Sequence, residues 1–185
     1  MPQHWKWQER AVAREVSVGR YPEVAKEYGV AKGDTLPFRR TPMSGAWSRN
    51  KAPCDIIPPE GFPFLVECKA QNAWSLDKFL KTGTSVLFDW FWKEEKNQQV
   101  DIDITKPKQL LLVFRKGYCE DMILLRKEVL EWYLGSSGYI KEWYQKLEIT
   151  YMELFVFDVV RNQNFVIMKF SDFLKFDSNF FKNKK

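Results

Sequence analysis

The chain has 185 residues, is 45% hydrophobic and 16% aromatic, and carries a formal charge of +5 at pH 7; this excludes a disordered chain and suits one domain over 1–185 with a packed core. One histidine, His4, and three cysteines without CxxC spacing, Cys54, Cys68 and Cys119, exclude a histidine-based triad, a cysteine zinc site and a disulfide framework, and make a reducing cytoplasm the expected compartment. No signal peptide or membrane span is expected, and the basic charge permits a polyanionic partner without requiring one.

Residues 3–18 read as a helix, with Trp5, Val12 and Val16 on a mixed apolar periodicity. Pro22 opens a second short helix that Gly29 ends. Residues 23–30 also have the look of half a helix-turn-helix, but Gly33, Asp34 and Pro37 make a poor second helix. Residues 36–40 read as a strand running into a basic turn with Arg39, Arg40, Ser44, Arg49 and Lys51. Pro58, Pro59, Gly61 and Pro63 supply turn chemistry, and Phe64 to Lys69 reads as a buried strand.

Ser75 caps a helix to Lys81, and a second helix runs from Ser85 to Lys96 with Val86, Leu87, Trp90 and Phe91 as its apolar stripe. Residues 97–107 are polar and read as a loop. Gln109 to Arg115 is a strand with five consecutive apolar residues, and Asp121 to Leu125 is its antiparallel neighbour. Arg126 to Leu134 reads as a helix, 135–138 as a loop and 139–146 as a helical turn. Tyr151 to Val160 and Asn164 to Phe170 read as two strands of a hairpin, followed by a short helix capped by Ser171. Lys182 to Lys185 is a basic tail.

The chemistry concentrates between Asp55 and Lys69. Strand side chains alternate, so Glu67 and Lys69 point one way and Cys68 the other. A reversal at the proline-rich turn brings Asp55, at the end of the preceding strand, beside Glu67. Hard divalent cations are often held by one or two carboxylates, with water and substrate phosphate completing the shell. Asp55 and Glu67 supply the carboxylates and the Cys68 main-chain carbonyl a third oxygen. Lys69 would orient or help deprotonate water, or neutralise phosphate charge. The plainer reading is a strand with a surface Glu–Lys pair.

Asp55, eleven intervening residues and then Glu67-Cys68-Lys69 resembles the PD-(D/E)xK nuclease superfamily, with Pro53-Cys54-Asp55 a departed form of its Pro-Asp. Arg40-Thr41-Pro42-Met43-Ser44-Gly45-Ala46 is similar to the Arg-Ser/Thr-x-x-Ser-Gly segment of archaeal-type Holliday junction resolvases and related phage nucleases. The resemblance covers roughly 9–125 and leaves 139–185 as a C-terminal extension: a lid, a dimer element or an added sheet layer. It implies an α/β, restriction-endonuclease-like core, with a mixed central sheet flanked by helices. It further implies a Mg²⁺-dependent (or Mn²⁺-dependent) DNA endonuclease, structure-specific toward branched DNA such as four-way junctions, acting as a homodimer in phage or recombination chemistry. The catalytic residues would be Asp55, Glu67 and Lys69. Asp55, Glu67 and Cys68 would hold the metal with a helix glutamate, Glu15 ahead of Glu23 and Glu9. Arg39, Arg40, Ser44, Arg49 and Lys51 would contact DNA. Alternatives are a nuclease-fold DNA-binding protein without activity, a restriction- or repair-type nuclease on linear DNA, and an aromatic-rich interaction domain.

Overall fold

Two apolar runs set the centre of the structure. Phe64–Ala70 (β3) and Gln109–Arg115 (β4) are buried along nearly their whole length, the pattern of strands covered on both faces. They pair in parallel from Phe64↔Gln109 to Ala70↔Arg115. Parallel neighbours need a crossover, and Leu76–Thr82 (α2) and Val86–Asn97 (α3) lie within it. The computed structural model describes residues 8–13, 38–41, 54–58, 62–70, 74–83, 85–98, 108–117, 119–134, 145, 147–157 and 162–176. Helical residues 8–13 are α1, Lys127–Leu134 is α4 and Phe170–Phe173 is α5. Arg39–Arg40, Ile56–Ile57, Met122–Arg126, Tyr151–Phe157 and Asn162–Lys169 are β1, β2, β5, β6 and β7.

Among the described residues these strands form one mixed sheet of seven, in the order β1-β2-β3-β4-β5-β7-β6. Only β3 and β4 are parallel; every other pairing is antiparallel. The fold is therefore α/β with a mixed central sheet flanked by helices. The hairpin expected near the C-terminus is present as β6 and β7, and β7 pairs with β5 from Met122↔Lys169 to Arg126↔Phe165. The C-terminal extension thus supplies strands to the central sheet itself.

Alternation sends the two faces into two cores. Phe64, Val66 and Cys68 of β3 join Val12, Val129 and Phe173 on one face. Leu65 of β3 joins Leu87, Phe88 and Phe91 of α3 on the other. Phe165 anchors this second layer, with the rings of Phe88 and Phe91 each 5.1 Å from its own. Burying a ring of that size contributes roughly 2–3 kcal/mol.

Ser75 and Ser85 cap α2 and α3, their hydroxyls accepting from the Lys78 and Leu87 amides. Gly83 ends α2 at φ 68°, a left-handed conformation that glycine adopts without a Cβ penalty. The α3 stripe differs from the expected one. Leu87, Phe88, Phe91 and Glu95 are buried, while Val86 and Trp90 are half-buried. The helix is rotated so that Phe88 meets Phe165. Trp92 packs on this layer and donates its indole N–H to Gln163 at 3.0 Å. The last helix starts one residue early, at Phe170, with Lys169 as an N-cap that makes no side-chain bond. The Phe170 amide donates to the Asp121 carbonyl at 2.9 Å, so strand β7 passes directly into the helix and Ser171 is inside it. Glu15, Glu23, Glu27 and 135–144 lie outside the described residues, as does the helix-turn-helix segment.

Candidate active site

The Phe64–Ala70 strand presents Glu67 and Lys69 on the α3 side, and their side chains form an ion pair. Cys68 is buried in the opposite core. This is the alternation expected of a strand. Asp55 arrives from the other side of β3. It precedes β2 rather than ending it, because β2 is only two residues long and pairs with β3 at Ile56↔Val66. The Cys68 amide donates to Asp55 Oδ2 at 3.0 Å. That bond ties the carboxylate of one element to the backbone between Glu67 and Lys69.

Thr41 holds the turn that delivers Asp55. Its hydroxyl donates to the Cys54 carbonyl at 2.8 Å, and its amide donates to the Asp55 carbonyl at 2.8 Å. Cys54 sits at φ 61°, the left-handed region that non-glycine residues rarely occupy and that concentrates at sites over-determined by their surroundings. Cys54 is also buried. The residue inserted between Pro53 and Asp55 thus provides both a sharp bend and a core contact.

The electrostatics are those of a site with too much acid. Burial, and then the charge of Asp55, push the Glu67 carboxyl up to about 8 despite the opposing pull of Lys69. Burial pulls Lys69 down, but the charge and hydrogen bond of Glu67, followed by Glu94 and Asp55, more than offset it and raise the ammonium to about 12. The Cys54 thiol is raised by burial and then by Glu67, Glu94 and Asp55. Cys68 is likewise pushed well up, chiefly by burial. Both thiols are held in the neutral, unreactive form.

Glu94, which the sequence reading passed over, belongs to this group. It lies on α3, its Oε1 3.5 Å from Lys69 Nζ, and its charge acts on Glu67, Lys69 and Cys54. A signal for it was present. Leu87, Phe91 and the 94–95 pair share one helical stripe, and carboxylates where that stripe should stay apolar need partners.

The other candidates are placed differently. Glu9 on α1 is buried and paired with Arg40, and its charge reaches Cys68. Arg40 is therefore occupied by a buried carboxylate. Arg39 lies on β1. Ser44, Arg49 and Lys51 lie outside the described residues.

The donor set fits a hard divalent cation. Among the described residues no three His, Cys, Asp or Glu side chains stand close enough to hold a metal by themselves. The donors are the Asp55–Glu67 pair, and two carboxylates are what Mg²⁺ commonly takes from protein. A cation there would favour the ionised Glu67 carboxylate, against the burial and the Asp55 charge that push it up.

A mixed α/β sheet that brings an Asp, a Glu and a Lys together from a short turn and one parallel strand defines the PD-(D/E)xK class of nuclease. The comparison with protein families agrees: residues 22–183 match the family described as "Phage putative PDDEXK endonuclease". The chain belongs to that family, and so to the PD-(D/E)xK nuclease superfamily, whose substrate is DNA. The match runs through the C-terminal strands, well beyond the 9–125 span of the sequence resemblance. No curated protein and no solved structure gives a significant match. Among the described residues no helix is long and apolar enough to cross a membrane.

Proposed function

We propose that the chain is a metal-dependent DNA endonuclease that hydrolyses phosphodiester bonds at Asp55, Glu67 and Lys69. The observation that carries this reading is the convergence at Cys68. Its amide anchors Asp55, while Glu67 and Lys69 flank it on the other face and share an ion pair.

Asp55 and Glu67 would hold Mg²⁺ or Mn²⁺, with the Cys68 carbonyl and a helix glutamate, Glu15 by preference, completing the protein's share. When bound, such a cation polarises the scissile phosphate and lowers the pKa of water toward neutrality. The carboxylate pair fixes where that water and phosphate meet. Lys69 stays charged in this environment, so its role is to orient the water's oxygen and neutralise phosphate charge rather than to accept a proton. Arg39, Ser44, Arg49 and Lys51 would supply phosphate contacts along the turn before Asp55, while Arg40 is engaged by Glu9. By likeness to the junction-resolving nucleases, the substrate is branched DNA. Cutting two strands of a four-way junction requires two sites, hence a homodimer in a phage setting.

The test is cleavage of labelled four-way junction, flap, linear duplex and single-stranded DNA with Mg²⁺, Mn²⁺ or EDTA, with Glu67→Gln as control. The expected result is paired nicks on the junction that disappear with EDTA and with the variant. Metal-dependent cutting of every substrate would remove the junction reading and leave a restriction- or repair-type nuclease. Tight junction binding without any cutting would make the chain an inactive DNA-binding relative.

A further inference from the structure

We propose that Glu94 is a positioning residue for Lys69, an anchor that keeps the lysine in place once Glu67 turns to metal. The inference rests on the nuclease reading above and extends it to a residue on a different element. Glu67 has two competing roles. Its carboxylate is the ion-pair partner of Lys69, yet the same carboxylate is a metal ligand in the nuclease. A carboxylate directed at a divalent cation has less charge to offer a neighbouring ammonium. Lys69 is only about one-fifth exposed, and an ammonium that loses its partner in such a place either swings toward solvent or costs free energy where it is.

Glu94 resolves the conflict. Its Oε1 is 3.5 Å from Lys69 Nζ, and it comes from α3 rather than from the strand that carries Glu67 and Lys69. Small side-chain adjustments close that gap to an ordinary charge-assisted bond of about 2.8 Å. Glu94 itself is held from two sides. Asn97 Nδ2 donates to its Oε2 at 3.3 Å, which leaves Oε1 directed at the lysine. One residue on, Glu95 is clamped by Arg126 in two bonds of 2.7 and 2.8 Å. That clamp fixes the rotation of the last turn of α3 and therefore the direction in which Glu94 points. Lys69 thus sits between two carboxylates from two elements, one of which is required by the metal and one of which is not.

Glu94→Gln and Glu94→Asp in the full chain test this, with Glu67→Gln alongside. Three quantities are measured: Mn²⁺ affinity without DNA, KM and kcat for DNA cleavage, and melting temperature. The expected result for Glu94→Gln is a kcat lower by about 10- to 100-fold, the usual cost of losing an outer partner in a metal site. KM, Mn²⁺ affinity and melting temperature stay near those of the parent, and Glu94→Asp restores much of kcat. Loss of Mn²⁺ binding in Glu94→Gln to the extent seen in Glu67→Gln would make Glu94 a ligand and overturn the inference. Unchanged kcat in Glu94→Gln would overturn it while leaving the nuclease reading intact. A parent chain that binds no Mn²⁺ and cuts no DNA would overturn the nuclease reading first and this inference with it.

Discussion

The two faces of the sheet both bury charge, but they balance it differently. On the α1 face Glu9 meets Arg40, and Asp121 meets Arg115 and accepts from Gln8 Nε2 at 2.7 Å. On the α3 face Glu95 meets Arg126. Each of these buried acids has an arginine whose planar donors match a carboxylate. At the end of β3 the count is different: the charges of Asp55 and Glu94 both act on Glu67, and among the described residues the cation that meets these acids is Lys69. Buried acids paired one to one serve the fold. A surplus of acid, held there by a strained turn and a backbone amide, is an arrangement that suits an incoming cation. The number of buried acids does not separate the two regions; the shortage of cations does.

The most severe way to break the contrast is to remove Lys69, the cation described at the acid-rich site. Lys69→Ala should lower cleavage by about 10²–10⁴-fold while DNA affinity, measured by fluorescence anisotropy, changes little. Equal loss of both would deny the lysine a role in the reaction. The matching change on the balanced side is Arg126→Ala. It leaves Glu95 buried without its guanidinium and should cost about 3–5 kcal/mol of stability in a denaturant melt. Arg40→Ala should behave similarly, because it strands Glu9. An unchanged salt slope for DNA binding in that variant would assign Arg40 to the fold rather than to phosphate.

The acid surplus can also be sharpened by pH. Glu67 is raised in the fold from 4.5 to about 8. Between those values the folded chain holds a proton that the unfolded chain has lost, so metal-free stability falls as pH rises across the window. Glu67→Gln removes that loss, and its gain in melting temperature over the parent should be largest above about pH 8 and absent below about pH 4.5. Metal binding requires the ionised form. Mn²⁺ affinity of the parent should therefore rise up to about tenfold per unit between about pH 6 and pH 8. A flat profile would show that Glu67 does not bind the ion. The smallest expected effect belongs to Thr41→Ala, which frees the Cys54–Asp55 turn. It should weaken Mn²⁺ binding about tenfold, read by the same titration.

Much of this was legible from residue order alone, for reasons that differ by element. The β4 strand carries five consecutive apolar residues and β3 opens on three, and Ser75 and Ser85 announce their helices by cap chemistry. Glu67, Cys68 and Lys69 were assignable to opposite faces because strand alternation leaves no other choice. The strand expected to end at Arg40 is present as Arg39–Arg40. Ile56–Ile57 carries no pattern of its own; it exists because Thr41 bonds to the 54–55 turn and because Ile56 pairs with Val66. Glu94 sits in Lys93-Glu94-Glu95-Lys96, which reads as a solvated helix end. Its place on the stripe of Leu87 and Phe91 is the signal that it turns inward, and the packing of those two side chains in the α3 layer bears this out. Glu9 was ranked behind Glu15 and Glu23 for a related reason: helical charges look alike until the buried face, here Gln8, Glu9, Val12 and Ala13, is known.

The most direct test of the central claim is a Mn²⁺ titration of the metal-free chain, followed by electron paramagnetic resonance, on the parent, Asp55→Asn, Glu67→Gln and Glu9→Gln. The account predicts saturable binding in the parent, loss in Asp55→Asn and Glu67→Gln, and retention in Glu9→Gln. Binding that survives both of the first two changes, or that is lost only in Glu9→Gln, would place the cation away from the acid-rich end of β3 and contradict it.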